Sequence, residues 1–426
     1  MGGIRSILMR MVTNGEEFGL GDAAGVRSGI EPYRIAVPDS DLDDLRLRVQ
    51  RTRWPDAIPG SQWTYGSAID VIRPLAEYWA DGYEWRRHEA ELNEVPQFVT
   101  HIDGQRIHFQ HVRSAEPGAV PLLLIHGWPG SIAEFRHIVD PLVDPTAHGG
   151  DRADAFHVVV PSLPGNGFSG PTSEPGWDAL RVAECFDTLM GSLGYNRYCA
   201  QGGDWGSMIA RHLGILHPER LVGIHLNFLP EFGPGRDDDM DDVSELEAAI
   251  LARRDDMLAN GTGYVAIQST RPQTLAFGLT DSPVGLLSWI AEKFWTWTDH
   301  DGELFDAVSR DDLLTDVSIY WFTGTAGSSA RLYYESARTG SIYVPPFRDT
   351  PIGVASFPKE ALGTRRRWVE AGYDLRHWTD LDRGGHFAAM EEPDLLVNDV
   401  REFFRPLRST RLVAATDGDE VVREAT

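Results

Sequence analysis

The segment Gly202-Gly203-Asp204-Trp205-Gly206 is the strongest constraint on how this chain folds. It follows an apolar run, Tyr198 to Gln201, that predicts a buried strand, and it precedes a segment, Ser207 to His217, that predicts a helix. Glycines flanking a central residue suit a sharp strand-to-helix turn, because side chains there would collide with the neighbouring elements. The turn therefore predicts an exposed and reactive Asp204, although an aspartate that merely caps the helix would fit the same five residues.

An aspartate at the centre of such a turn indicates a particular chemistry. A serine would suit esters or amides, whereas attack by a carboxylate makes an ester on the enzyme itself. That chemistry suits substrates with an electrophilic sp³ carbon, such as epoxides and alkyl halides. The ester must then be hydrolysed, which requires a general base for water and an acidic residue that orients the base.

The residues after the last two predicted strands supply both groups in the order nucleophile, acid, histidine. Glu360 follows the strand Ile352 to Phe357, and His386 follows Gly384-Gly385 after the last strand. Catalytic groups collect beyond the carboxyl ends of strands in open α/β sheets. Three other acidic residues lie close to His386 in the sequence and stay open as alternatives to Glu360: Asp374, Asp380 and Asp382.

Ester hydrolysis also needs an oxyanion hole. The backbone N–H of Trp205 is one candidate donor, because it directly follows the nucleophile. The loop after an earlier strand should give the other donor. His126-Gly127-Trp128-Pro129-Gly130 occupies that loop, so the N–H of Trp128 is the second candidate, although an ordinary Pro-Gly turn would also fit.

The remaining pattern predicts an α/β fold with a mostly parallel central sheet, an inserted helical lid and an N-terminal helical extension. The units are a disordered lead-in (1–32), an extension packing on the core (33–95), the first part of the core (96–232), the lid (233–345), the second part of the core (346–405) and a loose tail (406–426). The predicted lid helices are Ser244 to Leu258, Tyr264 to Gly278, Ser282 to Trp297, Asp311 to Phe322 and Ser329 to Ala337.

The composition of the chain limits which partners it can bind and predicts the cellular compartment in which it works. The chain has 426 residues and a formal net charge of −25, which argues against nucleic acid or an anionic membrane as a partner. It has two cysteines, so no disulfide framework is indicated and a reducing, cytoplasmic location is expected. No apolar run approaches the roughly 20 residues of a membrane span.

Several blocks in order make the chain resemble the microsomal-type epoxide hydrolases, an α/β-hydrolase family with an N-terminal extension, from about residue 33 to 405. The matching blocks are Trp54-Pro55-Asp56, His126 to Ser131, Gly202 to Gly206, Gly263-Tyr264, Gln268 to Pro272, Leu279 to Leu286, Glu292-Lys293-Phe294, Arg331-Leu332-Tyr333, Phe357 to Glu360 and Gly384 to Ala389. Mammalian members carry an N-terminal membrane anchor, and no such anchor is expected in this chain. The resemblance therefore implies a soluble bacterial member, with a role in natural-product formation or detoxification.

The resemblance also implies roles for individual residues. In that family a glutamate is the acid, which favours Glu360, and two lid tyrosines hydrogen-bond the epoxide oxygen. These roles fall on Tyr264 and Tyr333, with Tyr334 as the alternative to the second. The chemistry asks for such groups independently, because an opening epoxide develops an alkoxide and a phenol with a pKa of about 10 can protonate it.

Two other functions fit parts of the pattern. A haloalkane or haloacid dehalogenase would share Asp204 and the following tryptophan, but it needs N–H donors for halide and not paired phenols. A ligand receptor on the same scaffold often lacks a catalytic residue, whereas this chain keeps all three. Apolar side chains in the predicted lid favour an apolar or aromatic substrate, although packing explains most of them: Phe277, Leu286, Trp289, Phe294 and Trp297.

No metal or other cofactor is predicted. Asp237, Asp239 and Asp241 start like a calcium loop, but Asp242 and Ala248 stand where a glycine and an acid are needed. Histidines near the first hairpin and the predicted elbow helix also lack the partners of a metal site: His101, His108, His111, His212 and His217. The expected partners are a small epoxide and water, without nucleic acid or membrane, and a homodimer stays open.

Overall fold

The computed structural model describes residues 29–233 and 240–420, with side chains described as far as residue 408. The predicted lead-in up to residue 28, Asp237 and Asp239 of the acidic segment, and residues 421–426 lie outside the described residues. No helix within the described ranges is both long and apolar enough to cross a membrane.

A nine-stranded sheet, in the order β1-β2-β3-β5-β4-β6-β7-β8-β9, forms the centre of the molecule. Pairs from β5 through β4, β6, β7 and β8 to β9 are parallel, and β1, β2 and β3 extend the sheet with antiparallel pairs. The strands are β1 (Glu31–Tyr33), β2 (Gln97–Ile102), β3 (Gln105–Val112), β4 (Val120–Ile125), β5 (Phe156–Pro161), β6 (Tyr198–Gly202), β7 (Leu221–Leu226), β8 (Pro351–Ser356) and β9 (Asp374–Asp380).

Strands β4 to β7 are buried on both faces, which explains why they are largely continuous apolar runs in the sequence. Helices of the core cover the sheet, and short 3₁₀ turns at Ile132–Phe135, Pro145–His148, Arg152–Asp154 and Gly167–Ser169 complete the connections. The core helices are α4 (Val139–Val143), α5 (Ala179–Ser192), α6 (Asp204–Leu216), α14 (Arg366–Gly372), α15 (Ala388–Glu391) and α16 (Pro393–Glu420).

The N-terminal segment adds a strand and helices to this core. Its helices are α1 (Asp39–Gln50), α2 (Ile69–Asp81) and α3 (Trp85–Leu92). Residues 29–32 belong to the predicted disordered lead-in, but the structure differs there, because Glu31 and Pro32 are part of β1 and pair with Val99 and Phe98 of β2.

The lid lies between β7 and β8 and is wholly helical where the structure describes it. Its helices are α7 (Glu245–Asp256), a π-helical turn (Met257–Gly261), α8 (Gly263–Thr270), α9 (Pro272–Asp281), α10 (Pro283–Trp297), a 3₁₀ turn (Leu304–Asp306), α11 (Arg310–Thr323), α12 (Ala326–Ser329) and α13 (Arg331–Thr339). The helix predicted from Tyr264 to Gly278 is two helices, since Arg271 before Pro272 leaves helical geometry at φ −142° and ψ 53°.

The tail predicted to be loose begins at residue 406, inside α16, whose helical backbone continues to Glu420. Arg408 explains the continuation at its start. Its guanidinium donates hydrogen bonds to the carbonyls of Ala153, Asp154 and Ala155, so this part of the helix is fixed on the core.

Candidate active site

Asp204 lies at the apex of a tight turn between β6 and α6, in the left-handed region at φ 47°. Such a conformation is strained for a residue with a side chain and is typical of functional positions. The turn fits only because its flanking residues are glycines. A Cβ on Gly206 would lie 1.9 Å from the carbonyl oxygen of Ile125, and one on Gly202 would lie 2.4 Å from the carbonyl carbon of Gly206.

The loop after β4 approaches the carboxylate of Asp204 closely. The backbone N–H of Trp128 donates a hydrogen bond to Oδ1 at 2.7 Å. A Cβ on Gly127 would lie 2.3 Å from that same oxygen, so glycine is needed for this approach. The N–H of Trp205 follows in the first turn of α6, where helical N–H groups have no acceptor within the helix. Both predicted oxyanion donors are thus placed beside Asp204.

His386 and Glu360 meet on the other side of Asp204. Nδ1 of His386 lies 2.8 and 3.0 Å from the two carboxylate oxygens of Glu360, and Nε2 lies 3.6 Å from Oδ2 of Asp204. The backbone N–H of His386 donates to the carbonyl of Trp297, which fixes the loop that carries it. Glu360 and His386 are both buried, so the contact between them is shielded from solvent.

These carboxylates change the ionisation of the imidazole. Burial alone would lower the pKa of His386, but Glu360 and Asp204 outweigh it and raise the pKa well above its usual value. The two carboxylates therefore favour the protonated form of the imidazole before any reaction. The three aspartates that compete with Glu360 in the sequence have other partners: Asp374 contacts Arg376, Asp380 accepts from the indole of Trp378, and Asp382 contacts Arg383.

Two buried tyrosines of the lid lie close enough to Asp204 to feel its charge. Tyr264 is in the first turn of α8, and Tyr333 lies on α13. Their ring centroids are 5.9 Å apart, and both rings pack on the indole of Trp128. Tyr334 lies on a different face, where the guanidinium of Arg338 covers its ring, so the structure places Tyr333 and not Tyr334 at the site.

Both phenols are held in the protonated form. Burial raises the pKa of Tyr264 well above 10, and the Asp204 carboxylate adds to the effect. Burial, Tyr264 and Asp204 likewise raise the pKa of Tyr333. The two hydroxyls also interact with each other, which lowers the pKa of Tyr264 and raises that of Tyr333 without reversing either upward shift.

Aromatic rings pack around His386 and Tyr264. The ring centroid of Trp297 lies 4.9 Å from that of His386 and 5.4 Å from that of Tyr264. The ring centroid of Phe228 lies 5.6 Å from that of His386. Of the five apolar lid residues named in the sequence, most of which are assigned to packing, Trp297 is the one in contact with these rings. The others have different surroundings: Phe277 is exposed, Leu286 and Phe294 are in the core, and Trp289 donates to Gln268.

Two residues of the site carry no role in the sequence interpretation. Lys293 is buried in the lid, with its ammonium 4.5 Å from the ring centre of Tyr264. Glu134 is buried in the 3₁₀ turn after β4 and lines the same cleft as Asp204 and His386. The spacing of Ser131 and Glu134 is that of a capping box, so in the sequence Glu134 looks like a structural residue.

Histidines considered as metal ligands have other partners. His108 contacts Ser162 and Gln97, His111 contacts Tyr195, and His212 contacts the carbonyl of Ser341. Within the described ranges, one group has metal-ligand spacing: His377, Asp399 and Glu402. Asp399 already accepts from His377 and His225, so this group is satisfied without an ion.

Comparisons with known proteins decide the family. The profile of the epoxide hydrolase N terminus matches residues 30–135, and that of the alpha/beta hydrolase fold matches residues 120–258. A protein of Stigmatella aurantiaca, named provisionally as an epoxide hydrolase, is 46% identical over 385 residues, which cover 89% of this chain and 86% of that protein. The chain belongs to the epoxide hydrolase family.

Other members of this epoxide hydrolase family agree in sequence and in structure. Epoxide hydrolase 1 of Sus scrofa is 37% identical over 407 residues, which cover 89% of this chain and 90% of that protein. The structure of the Aspergillus niger epoxide hydrolase superposes with a TM-score of 0.80 at 32% identity, over 90% of this chain and 97% of that one. The α/β-hydrolase fold and the family predicted from the sequence blocks are thereby confirmed.

Proposed function

We propose that this epoxide hydrolase converts an apolar or aromatic epoxide into a vicinal diol in two steps, through an ester on Asp204. The observation that carries the proposal is the position of the Asp204 carboxylate. It is close enough to two protonated phenols, Tyr264 and Tyr333, to raise the pKa of each, and its Oδ2 lies 3.6 Å from Nε2 of His386, which Glu360 contacts on the other ring nitrogen. Opening an epoxide needs a nucleophile and an acid, and hydrolysing an ester needs a base, so this arrangement provides for both steps.

In the first step, an oxygen of Asp204 attacks one epoxide carbon and the bond from that carbon to the epoxide oxygen breaks. The leaving oxygen takes a proton from the phenol of Tyr264 or Tyr333. The resulting phenolate regains a proton as His386 gives up its own. His386 releases this proton readily, because the ester no longer carries the negative charge that Asp204 had. The step ends with an ester, two neutral phenols and a neutral imidazole.

In the second step, His386 takes a proton from a water molecule that attacks Cγ of Asp204, and Glu360 stabilises the imidazolium that forms. The N–H groups of Trp128 and Trp205 hold the oxyanion of the tetrahedral intermediate. Collapse breaks the ester bond, and the departing alkoxide takes the acid proton of Asp204. The diol leaves, and the initial protonation state of each group is restored.

The source of one oxygen atom tests this sequence of steps. Because water attacks Cγ of Asp204, a single turnover with enzyme in excess over styrene oxide in H₂¹⁸O should place the label in the peptide that contains Asp204. The diol of that turnover should be unlabelled. Direct attack of water on the epoxide would give the reverse pattern and would exclude the ester.

Two variants should trap the intermediate. Glu360→Gln and His386→Gln keep the nucleophile but lose the oriented base, so the ester should accumulate as an added mass on the protein. Asp204→Ala, which cannot form the ester, serves as the control and should show neither adduct nor turnover. Mass spectrometry of the intact protein distinguishes these outcomes.

The dehalogenase alternative is tested in the same assay. A bromoalkane offers the same sp³ carbon to Asp204, but the two phenols are proton donors placed for an oxygen leaving group. We therefore expect diol from styrene oxide and no bromide from the bromoalkane. Release of bromide without diol would contradict the roles given to Tyr264 and Tyr333.

A further inference from the structure

Glu134 is a buried carboxyl group in the active-site cleft that the two-step scheme does not use. It follows the oxyanion loop on the 3₁₀ turn Ile132–Phe135 and lines the cleft together with Asp204 and His386. Its carboxylate lies directly against the loop, since a Cβ on Gly130 would be 2.2 Å from Oε2. Burying a carboxyl group is costly unless it has a partner, so its position needs an explanation.

A structural role in the turn is the first explanation to examine. In a capping box, the glutamate at the third position accepts a hydrogen bond from the backbone of the cap residue, as Glu247 does from Ser244. Ser131 does cap its turn, with Oγ accepting from the N–H of Ala133. The carboxylate of Glu134, however, receives no hydrogen bond from any residue in the described parts of the chain. The local structure therefore does not account for it.

A nearby carboxyl group shows what a structural role looks like at the same site. Glu391 accepts hydrogen bonds from the N–H groups of Phe387 and Asp299, at 2.9 and 2.7 Å, and so joins the loop of His386 to the end of α10. Glu134 has no such contacts and instead lines the same cleft as Asp204 and His386.

We propose that Glu134 positions the hydrolytic water for its attack on the Asp204 ester. A water molecule in attacking orientation points one lone pair at Cγ of Asp204 and one hydrogen at Nε2 of His386. Its second hydrogen needs an acceptor on the wall of the cleft, and the Glu134 carboxyl oxygen is that acceptor. The inference rests on the proposed two-step function, because a water molecule is needed only if an ester forms.

The electrostatic surroundings suit this role. Burial raises the pKa of Glu134 to about 8; the nearby His386 lowers it, and Asp316, Asp204 and Glu391 raise it. Near neutral pH the group is thus largely uncharged and does not add another anion beside Asp204 and Glu360. The carbonyl oxygen of a neutral carboxyl group still accepts a hydrogen bond, so positioning of water does not require ionisation.

Single-turnover kinetics with styrene oxide test the inference, because they separate formation of the ester from its hydrolysis. Glu134→Leu removes the acceptor, so hydrolysis should slow about 10- to 100-fold, the loss expected from a misplaced reactant, and ester should accumulate. Formation of the ester should change by less than about 3-fold, since no water takes part in it. Glu134→Gln keeps a carbonyl acceptor and should retain most of the hydrolysis rate.

Control variants make each outcome decisive. Glu391→Gln should lower thermal stability and affect both steps in similar proportion, as a structural carboxylate would. Glu134→Ala repeats the test if the leucine variant does not fold. The inference is overturned if the Leu or Ala variant loses rate equally in both steps or hydrolyses the ester at an unchanged rate. It is also overturned if the glutamine variant hydrolyses the ester as slowly as the leucine variant. Absence of ester and diol with the wild-type protein would instead refute the proposed function itself.

Discussion

His386 and Asp204 face each other across 3.6 Å, with Nε2 of the imidazole directed at Oδ2 of the carboxylate. Glu360 contacts the second ring nitrogen, and the two carboxylates together raise the pKa of His386 well above its usual value, which favours the imidazolium in the free protein. The proposed reaction removes one of these two anions, because esterification neutralises Asp204. The electrostatic effect of Asp204 on His386 thus changes during each turnover, and the change can be measured through the pKa of His386.

The first prediction concerns pH. Hydrolysis of the ester needs a neutral imidazole, so its rate should rise with pH through the pKa that His386 has in the intermediate. This pKa should lie below that of His386 in the free protein, because the contribution of Asp204 has gone. Decay of the ester against pH gives the first value, and NMR titration of His386 gives the second. In Asp204→Asn the NMR value should also fall, and equal midpoints in all three experiments would contradict this account.

A second prediction concerns the phenols. Tyr264→Phe and Tyr333→Phe should each slow formation of the ester by about 10²-fold or more, because each removes a proton donor to the developing alkoxide. The double variant should be slower than either. Tyr334→Phe is the matched control, since its ring lies under Arg338 and away from the site. A loss in Tyr334→Phe equal to that in Tyr333→Phe would show that the effect is one of packing in α13.

The third prediction compares two glycines. In Gly206→Ala the new methyl group would meet the backbone carbonyl of Ile125, which cannot move without displacing β4, so we expect a loss of about 1–3 kcal/mol or more in the free energy of unfolding. In Gly278→Ala the methyl group meets no atom within 4 Å, and α9 should gain up to about 1 kcal/mol. Urea unfolding of both variants measures the difference, and similar effects would contradict the tight packing of the turn.

A fourth prediction concerns the buried carboxylate of Asp399, which accepts hydrogen bonds from His225 and His377 at 2.7 and 2.8 Å. These contacts lower the pKa of Asp399 despite its burial, and Asp399 raises the pKa of His377. Asp399→Asn leaves both imidazoles without an anion and should cost about 3–5 kcal/mol of stability. Asp382→Asn, on an exposed carboxylate, should have little effect.

The directions of the pKa shifts of Asp399 and His377 determine the pH range in which Asp399→Asn loses most stability. The lowered pKa of Asp399 contributes stability above its unfolded value of about 4, which is lost as the pH falls below it. The raised pKa of His377 contributes stability below its unfolded value of about 6.5, which is lost as the pH rises through the folded one. The difference between wild type and Asp399→Asn should therefore be largest between about pH 4 and 6.5. A constant difference from pH 3 to 9 would contradict it.

The sequence predicts the core of this fold well because the physical signals there are local. Strands buried on both faces are continuous apolar runs, and the glycines around Asp204 reflect a turn with no space for side chains. The positions of Glu360 and His386 follow from the same logic, since groups after the ends of parallel strands meet at one edge of a sheet.

Signals that depend on packing between distant segments are weaker in the sequence. Tyr333 and Tyr334 are adjacent on one helix, and only the contacts of α13 with Trp128 and Trp205 determine which of them faces Asp204. Glu134 is harder still, because its spacing from Ser131 has a complete local explanation in the sequence. Only the direction of its side chain, into the cleft, separates it from an ordinary cap.

The N-terminal segment joins the two halves of the molecule. Its first residues extend the central sheet as β1, while Trp79 and Tyr83 hydrogen-bond to α11 of the lid and Trp63 stacks on Trp295 of α10. The lid is thereby anchored to the core by a third chain segment besides its own two connections. Substitutions in this segment can shift the lid phenols relative to Asp204 without touching either. Selection for new substrates can therefore adjust the position of the lid phenols through residues that are far from the reacting atoms. Mutant libraries that vary the N-terminal segment would test this.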